Sequence, residues 1–279
     1  NISTPVMESH QKNAGGNARI TETMFRYFRF PNTFEDFVYL SQIQQGLAIK
    51  TAVTAWRSLK PHCMGTLYWQ LNDTWPVASW SGLDHGGGWK HLHHMARGFF
   101  QPVTVTACPE TETGAIRISG VNDTPDKVDV AVTLTALSAD GRATELGAVS
   151  ATITPDTAAL ITAVQPQDGD VLYWEWTASD GTSGRDHLRL RPYKEMALRA
   201  PGITYDLARN GDIWTVTVTA TALALYVAIS ADCPGRFDQN AILIRPGAPQ
   251  TFAFTPKAAD AAPRFTVQDL YSATHTSDT

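Results

Sequence analysis

Cys63-Met64-Gly65-Thr66-Leu67-Tyr68-Trp69-Gln70-Leu71-Asn72-Asp73-Thr74-Trp75-Pro76 is the stretch on which the reading of the fold turns. Its mostly apolar first part is too short for a helix and stops abruptly at Asn72-Asp73-Thr74, ahead of Trp75-Pro76. Such a run predicts a short buried strand over 63–71 that ends in a polar loop. Residues 31–60, just before it, predict one long helix. Pro31 and Thr33 open it, Glu35 and Asp36 lie in the first turn where the helix dipole favours acids, and Pro61 stops it. Phe37, Leu40, Ile43 and Leu47 form one apolar stripe, and Ile49, Val53 and Trp56 a second. Two stripes imply burial on more than one side, as for a helix inside a larger α/β body. Helix, buried strand and polar loop in that order are the grammar of a (β/α) barrel, whose functional groups sit where strands end.

Downstream, the loop from Ser79 to Gly88 carries Asp84 and the run Gly86-Gly87-Gly88, and residues 89–100 predict the last helix of this region, closed by Pro102. Beyond Pro102 the period changes to two. Ala115 to Ser119, Val128 to Leu134 and Leu172 to Trp176 read as strands, separated by turn signals at Asn122-Asp123, Asp140-Gly141 and Asp180-Gly181. This is the pattern of an immunoglobulin-like β-sandwich over 103–195. A second set over 196–279, with Trp214 to Thr219, Ala224 to Ser230, Ala241 to Ile244 and Thr251 to Phe254, predicts a second sandwich.

With 279 residues, 43 % hydrophobic and 18 % charged, the chain has the composition of an ordinary globular protein long enough for two or three domains. The net charge of -5 is spread along the chain, so no nucleic-acid footprint and no polybasic membrane patch is expected. No apolar run approaches the length needed to span a bilayer. Asn1 is not an initiator methionine, and the sequence reads as starting within a domain, so the compartment stays open. Cys63, Cys108 and Cys233 are far apart and odd in number, which argues for buried thiols over a disulfide framework or a zinc site. The triplets at Asn1, Asn72 and Asn122 fit a glycosylation sequon.

The longer stretch from Gly65 to Asp84, with Trp89-Lys90 and Phe99 to Val103, closely resembles the final barrel strand and following loop of β-mannosidases of glycoside hydrolase family two. Val6 to Asn13 and the segment from Leu40 through Trp56-Arg57 match the same family in the same order. The resemblance is strong over 1–103 and diffuse beyond, where it survives in the pair of sandwiches and a turn like Phe237 to Asn240 leading to Arg245-Pro246-Gly247. It implies the C-terminal part of a (β/α)8 TIM barrel over 1–102, followed by immunoglobulin-like β-sandwiches over 103–195 and 196–279. It also implies a retaining exo-β-mannosidase that removes terminal non-reducing β-D-mannose with two glutamates whose carboxyls sit roughly 5 Å apart.

The nucleophile of such enzymes lies in a Ser-Glu-aromatic-Gly motif upstream of the segment matching Val6 to Asn13. Glu8, Glu22 and Glu35 have no such context and read as surface or helix-cap residues, so no catalytic residue is expected in this chain. The N-terminal remainder of the same enzyme is then a partner, and the chain alone should be inactive. What the chain supplies is a wall for the sugar. An aromatic face suits the axial C–H groups of a pyranose while edge hydroxyls reach polar neighbours.

Trp69, at the strand end, matches a family tryptophan at the subsite for the non-reducing sugar; the alternative is a core tryptophan. In a regular strand Gln70 points opposite to Trp69, so both serve the site only if the strand ends or bulges there. Asn72 and Asp73 fit either sugar-hydroxyl partners or a structural turn. Trp75, Trp80 and Trp89 either line the cleft or seal the barrel end. His91, His93 and His94 face different directions on one helix without an acidic ligand at the right offset, so no metal is expected, and no cofactor. Asp84 before three glycines lacks phosphate-loop spacing and reads as a loop anchor or helix cap.

Exo-β-glucosaminidase or β-galactosidase activity of the same family is the alternative specificity. A non-catalytic carbohydrate-binding or structural module is the alternative class, and a truncated remnant the third. The helix and strand order of residues 20–100 argues against a free-standing sandwich module.

Overall fold

The structure, a computed structural model describing residues 2, 4–165 and 168–276, opens with helices α1 (Pro5–Ser9), α2 (Gly16–Tyr27) and α3 (Phe34–Arg57). α3 starts where its sequence signals lie. The Asp36 amide donates to Thr33 Oγ1 at 3.1 Å, and Asp36 Oδ2 accepts from the Thr33 amide at 3.0 Å and from its hydroxyl at 2.7 Å. This reciprocal pairing satisfies amides that have no partner within a helix's first turn. Leu40, Ile43 and Val53 are buried, but Trp56 is exposed, so the second expected stripe is only partly covered. α4 (His91–Phe99) supplies the second helix expected before Pro102.

The strand expected over 63–71 does not form. None of the sheets among the described residues includes this stretch, Leu67 is 96 % exposed and Trp69 71 % exposed. A strand exists only through backbone bonds to a neighbouring strand, and an apolar run without that neighbour stays open to water. The helices of residues 1–102 are therefore present, whereas the strand ladder of a TIM barrel is not.

The described chain divides into two compact units, 1–47 with 69–95 and 192–279, and 48–68 with 96–191. In the second unit, β1 (Val103–Pro109), β2 (Ile116–Asn122), β3 (Val128–Leu137), β4 (Ala143–Ile153), β5 (Thr157–Val164), β6 (Val171–Ala178) and β7 (Ser183–Arg189) form two antiparallel sheets of order β1-β2-β5 and β4-β3-β6-β7. Val130, Val132 and Leu134 alternate inward along β3 and meet Ile118, Ile153, Leu172 and Trp174 in one core. The buried Trp174 indole donates to Val105 O at 3.1 Å, so its polar atom is satisfied inside that core. Asn122 is fully buried, its amide nitrogen donating to Asp126 O at 2.7 Å and Ile153 O at 3.2 Å, which closes this sequon to a glycan. The Asn1 sequon lies outside the described residues.

The first unit holds, besides α1, α2 and the part of α3 up to residue 47, the strands β8 (Thr204–Asn210), β9 (Ile213–Thr219), β10 (Ala224–Ala231), β11 (Gly235–Phe237), β12 (Ile242–Ile244), β13 (Gln250–Pro256) and β14 (Phe265–Gln268), with helix α5 (Leu270–Thr274). They form sheets of order β11-β13-β9-β8 and β12-β10-β14 around Val216, Val218, Ile229, Phe252 and the mutually packed rings of Phe237, Phe254 and Phe265. α5 is capped by Asp269, and Gln268 Nε2 donates to Asp36 Oδ1 at 2.6 Å, tying the end of β14 to the first turn of α3.

Asn240 closes this sandwich by imitating a strand. Its side chain accepts from the Ile229 amide and donates to the Ile229 carbonyl, each at 2.8 Å, in a buried position. Asn240→Ala leaves two buried backbone groups without partners, and the expected loss is about 3 kcal/mol in urea unfolding. Asn240→Asp, which keeps the acceptor and loses the donor, is expected to recover less than half of that.

Candidate functional site

The segment after Trp69 is shaped by its own return limb. Gln70 N donates to Trp80 O at 3.4 Å, Gly82 N to Gln70 O at 2.9 Å and Leu83 N to Leu71 O at 2.8 Å, so residues 72–79 form an excursion between two paired limbs. The far side of that excursion is held by the segment before α2, because Ala78 N donates to His10 O at 2.8 Å and Gln11 forms a parallel bridge with Ala78. From α3, Gln45 Nε2 donates to Trp80 O at 2.8 Å and to Ser81 O at 3.4 Å. Three separate pieces of chain thus fix one loop.

The five sequence candidates sit on this loop and its base. Trp69 stands at the base with most of its indole exposed, beside a cis peptide to Gln70, which is half-buried. Because residues 69–70 are in no strand, the alternation that would send the two side chains to opposite faces does not apply. Asn72 is exposed. Asp73 is half-buried and its Oδ2 accepts from the Ser79 hydroxyl. Trp75 is half-buried against His10, ring centroids 5.4 Å apart, while His10 Nδ1 is hydrogen-bonded to Pro76 O. A carbonyl only accepts, so Nδ1 carries the proton.

Asp73 and Trp75 are therefore partly built into the loop, and Trp69 and Asn72 are the candidates with open faces. Trp80 is exposed. Trp89 is packed edge-on by His93 at 4.4 Å, with the Arg236 guanidinium 5.5 Å from its ring, which is a packing role.

Residues that sequence reading passed over complete the loop. Lys90 Nζ donates to Ser81 Oγ at 2.9 Å, and Ser81 Oγ lies 3.1 Å from Ser79 Oγ. Burial pulls the Lys90 ammonium below its usual range, and the carboxylates of Asp73 and Asp84 oppose that shift. Asp84 anchors its glycine run: Gly88 N donates to Asp84 Oδ1 at 2.7 Å and Asp84 N to Gly88 O at 2.9 Å. A Cβ on Gly88 would stand 2.4 Å from Asp84 Oδ2, so a larger residue there would displace the Asp84 carboxylate.

The His91 imidazole packs edge-on to Tyr39, and burial pushes it down to about 4, so it is neutral at physiological pH. Among the described residues no three His, Cys, Asp or Glu side chains are grouped to hold a metal ion, and no helix is long and apolar enough to cross a membrane. The three cysteines are free and half-buried.

The mannosidase Ig family, an Ig-fold domain, matches residues 198–273. β-Mannosidase A of Aspergillus oryzae is 26 % identical over 98 % of the chain, which spans 35 % of that protein, and β-mannosidase of Capra hircus is 36 % identical over 43 % of the chain and 15 % of its own length. Among solved structures, β-D-mannosidase from Dictyoglomus thermophilum superposes with a TM-score of 0.82 at 24 % identity, covering 94 % of this chain and 33 % of that one. The exo-chitosanase of Amycolatopsis orientalis, in complex with p-nitrophenyl β-D-glucosamine, shares the fold with a TM-score of 0.71 at 16 % identity over 95 % of this chain and 38 % of its own.

The chain spans about a third of the length of the relatives matched over most of it. Its matches are β-mannosidases along most of the chain, and the family model over residues 198–273 is the Ig-fold domain of mannosidases.

Proposed function

We propose that the enzyme to which this chain contributes is a retaining exo-β-mannosidase hydrolysing terminal non-reducing β-D-mannose residues, with both glutamates supplied by the N-terminal remainder. In this reading, residues 1–102 complete a TIM barrel in the whole enzyme, and 103–195 and 196–279 are its two C-terminal sandwiches. The observation that carries the reading is the likeness to a β-mannosidase along 98 % of the chain. The loop geometry agrees with it: a largely exposed indole stands at the base of a pinned polar loop, as a stacking wall for a pyranose requires. Trp69 stacks on the sugar, Gln70, Asn72 and Asp73 reach its hydroxyls, and Trp75 walls the side held by His10. The exposed apolar residues Leu67 and Leu71 are covered by the remainder.

The alternative, an exo-β-glucosaminidase or β-galactosidase of the same family, is tested in the same assay. The full-length enzyme is expected to show its highest kcat/KM on p-nitrophenyl β-D-mannoside, ahead of the glucosaminide and the galactoside, while the isolated chain turns over none of them. Trp69→Ala is expected to reduce kcat/KM by about 1–3 kcal/mol, roughly 5- to 150-fold. A preference for either other sugar transfers the assignment to that specificity. Unchanged kinetics in Trp69→Ala removes this indole from the site.

A further inference from the structure

Lys90, Ser81, Ser79 and Asp73 form a line of hydrogen bonds with a cation at one end and a carboxylate at the other. Lys90 Nζ lies 2.9 Å from Ser81 Oγ, Ser81 Oγ 3.1 Å from Ser79 Oγ, and the Ser79 hydroxyl reaches Asp73 Oδ2. The direction of every bond is determined. An ammonium has no lone pair to accept with and a carboxylate has no proton to donate. Ser81 must therefore accept from Lys90 and donate to Ser79, and Ser79 must donate to Asp73. The Ser81 amide, donating to Ser79 Oγ at 3.3 Å, reinforces the same polarity.

Ser81 is only 1 % exposed, so the middle of the line is shielded from water, where each bond polarises the next. Two carbonyls on the same limb, Trp80 O and Ser81 O, are held by Gln45, which keeps the serines at fixed distance from α3. The line ends on Oδ2 of Asp73, and Oδ1 is the oxygen left for a hydroxyl from outside. The ammonium, two hydroxyls away, exerts its pull without competing for Oδ1.

We propose that Lys90, acting through Ser81 and Ser79, is a positioning residue that orients the Asp73 carboxylate toward a hydroxyl of the terminal sugar. The proposal rests on the glycosidase reading above and adds to it a residue outside the sugar wall. Lys90 touches no substrate; its effect is carried entirely by Asp73.

The test is a double-mutant cycle in the full-length enzyme with p-nitrophenyl β-D-mannoside, unfolding midpoints being recorded for each variant. Asp73→Ala and Lys90→Met are each expected to lower kcat/KM about 10- to 100-fold, the range for losing a hydrogen bond to a charged group. Asp73→Ala/Lys90→Met is expected to be no worse than Asp73→Ala, because a lever has no effect once its load is gone. Lys90→Arg, which keeps a donor, is expected to recover most of the loss. Ser79→Ala, which cuts the line without touching either charge, is expected to match Lys90→Met. Multiplicative losses in the double variant, or wild-type kinetics in Ser79→Ala, overturn the proposal and leave the glycosidase reading standing. A wild-type enzyme silent on all three aryl glycosides sinks that reading and the proposal together.

Discussion

Arg57→Ala is expected to lower the unfolding free energy by about 3 kcal/mol in the unit formed by 48–68 and 96–191. Arg57, in the last turn of α3, is 4 % exposed, and its guanidinium donates to Phe99 O, to Gln101 O at 2.8 Å and to Asp123 Oδ2 at 2.9 Å. One side chain thereby joins the end of α3, the end of α4 and the turn after β2. Removing it strands two carbonyls. The ion pair contributes less, because Asp123 is about a third exposed and keeps Lys60 as a partner.

The ranking of variants follows from that split. Asp123→Asn, which still offers an acceptor, is expected to cost about 1 kcal/mol. Arg57→Lys should rescue little, since a single ammonium on a flexible stem cannot serve three acceptors in different directions. Guanidinium unfolding midpoints decide it. A loss below 1 kcal/mol in Arg57→Ala would mean that water replaces the guanidinium at both carbonyls.

The second large effect is on pH dependence. The His187 imidazole, on β7 opposite Tyr173, is buried and pushed down to about 3, by desolvation first and the Lys50 cation second, with Asp186 opposing. Lys50 reaches across from α3, its ammonium bonding Asp186 Oδ1 and, at 3.3 Å, the His187 carbonyl. Above the ordinary value of 6.5 both folded and unfolded chains carry a neutral ring, and His187 contributes no pH dependence. Below it, the unfolded chain binds a proton that the folded chain refuses, so stability falls as pH drops from 6.5 toward 3.

At pH 4 this one residue is expected to remove about 3 kcal/mol, at a slope near 1.4 kcal/mol per pH unit. His187→Gln cannot take up that proton. Urea midpoints at pH 7, 5 and 4 should therefore show a shallower decline in the variant than in the wild type. Parallel declines in the two proteins would mean that the ring titrates normally in the folded state.

Local patterning carried most of the secondary structure. Alternation along Val128 to Leu134 and Leu172 to Trp176 predicted segments that extend in the structure to β3, Val128–Leu137, and β6, Val171–Ala178, and the Thr33 and Asp36 signals fell on the start of α3. β8, Thr204–Asn210, is exposed at every position, so it has no alternation to read. The stretch 63–71 failed for a different reason. An apolar run specifies a wish to be buried, and the partner that would bury it is a property of the tertiary structure.

The candidate site divides the same way. Trp69, Asn72, Asp73 and Trp75 were legible because they are consecutive or nearly so and chemically distinctive. His10 and Gln45 were not, because each acts on a residue far along the chain; Lys90, Ser81 and Ser79 lie near Asp73 in sequence, but a serine or a lysine alone signals nothing.

By itself the sequence determined the long helix before Pro61, the helix before Pro102, several strands beyond it and which residue types crowd one loop, since capping, period and turn chemistry act over a few neighbours. Only the tertiary structure decided that Asp73 and Trp75 are partly committed to holding their own loop, that Asn122 is closed to modification, and that the buried Arg57, His187 and Asn240 carry the polar interior. Hydrogen-bond partners and desolvation belong to contacts between distant segments, and those exist only once the chain has folded.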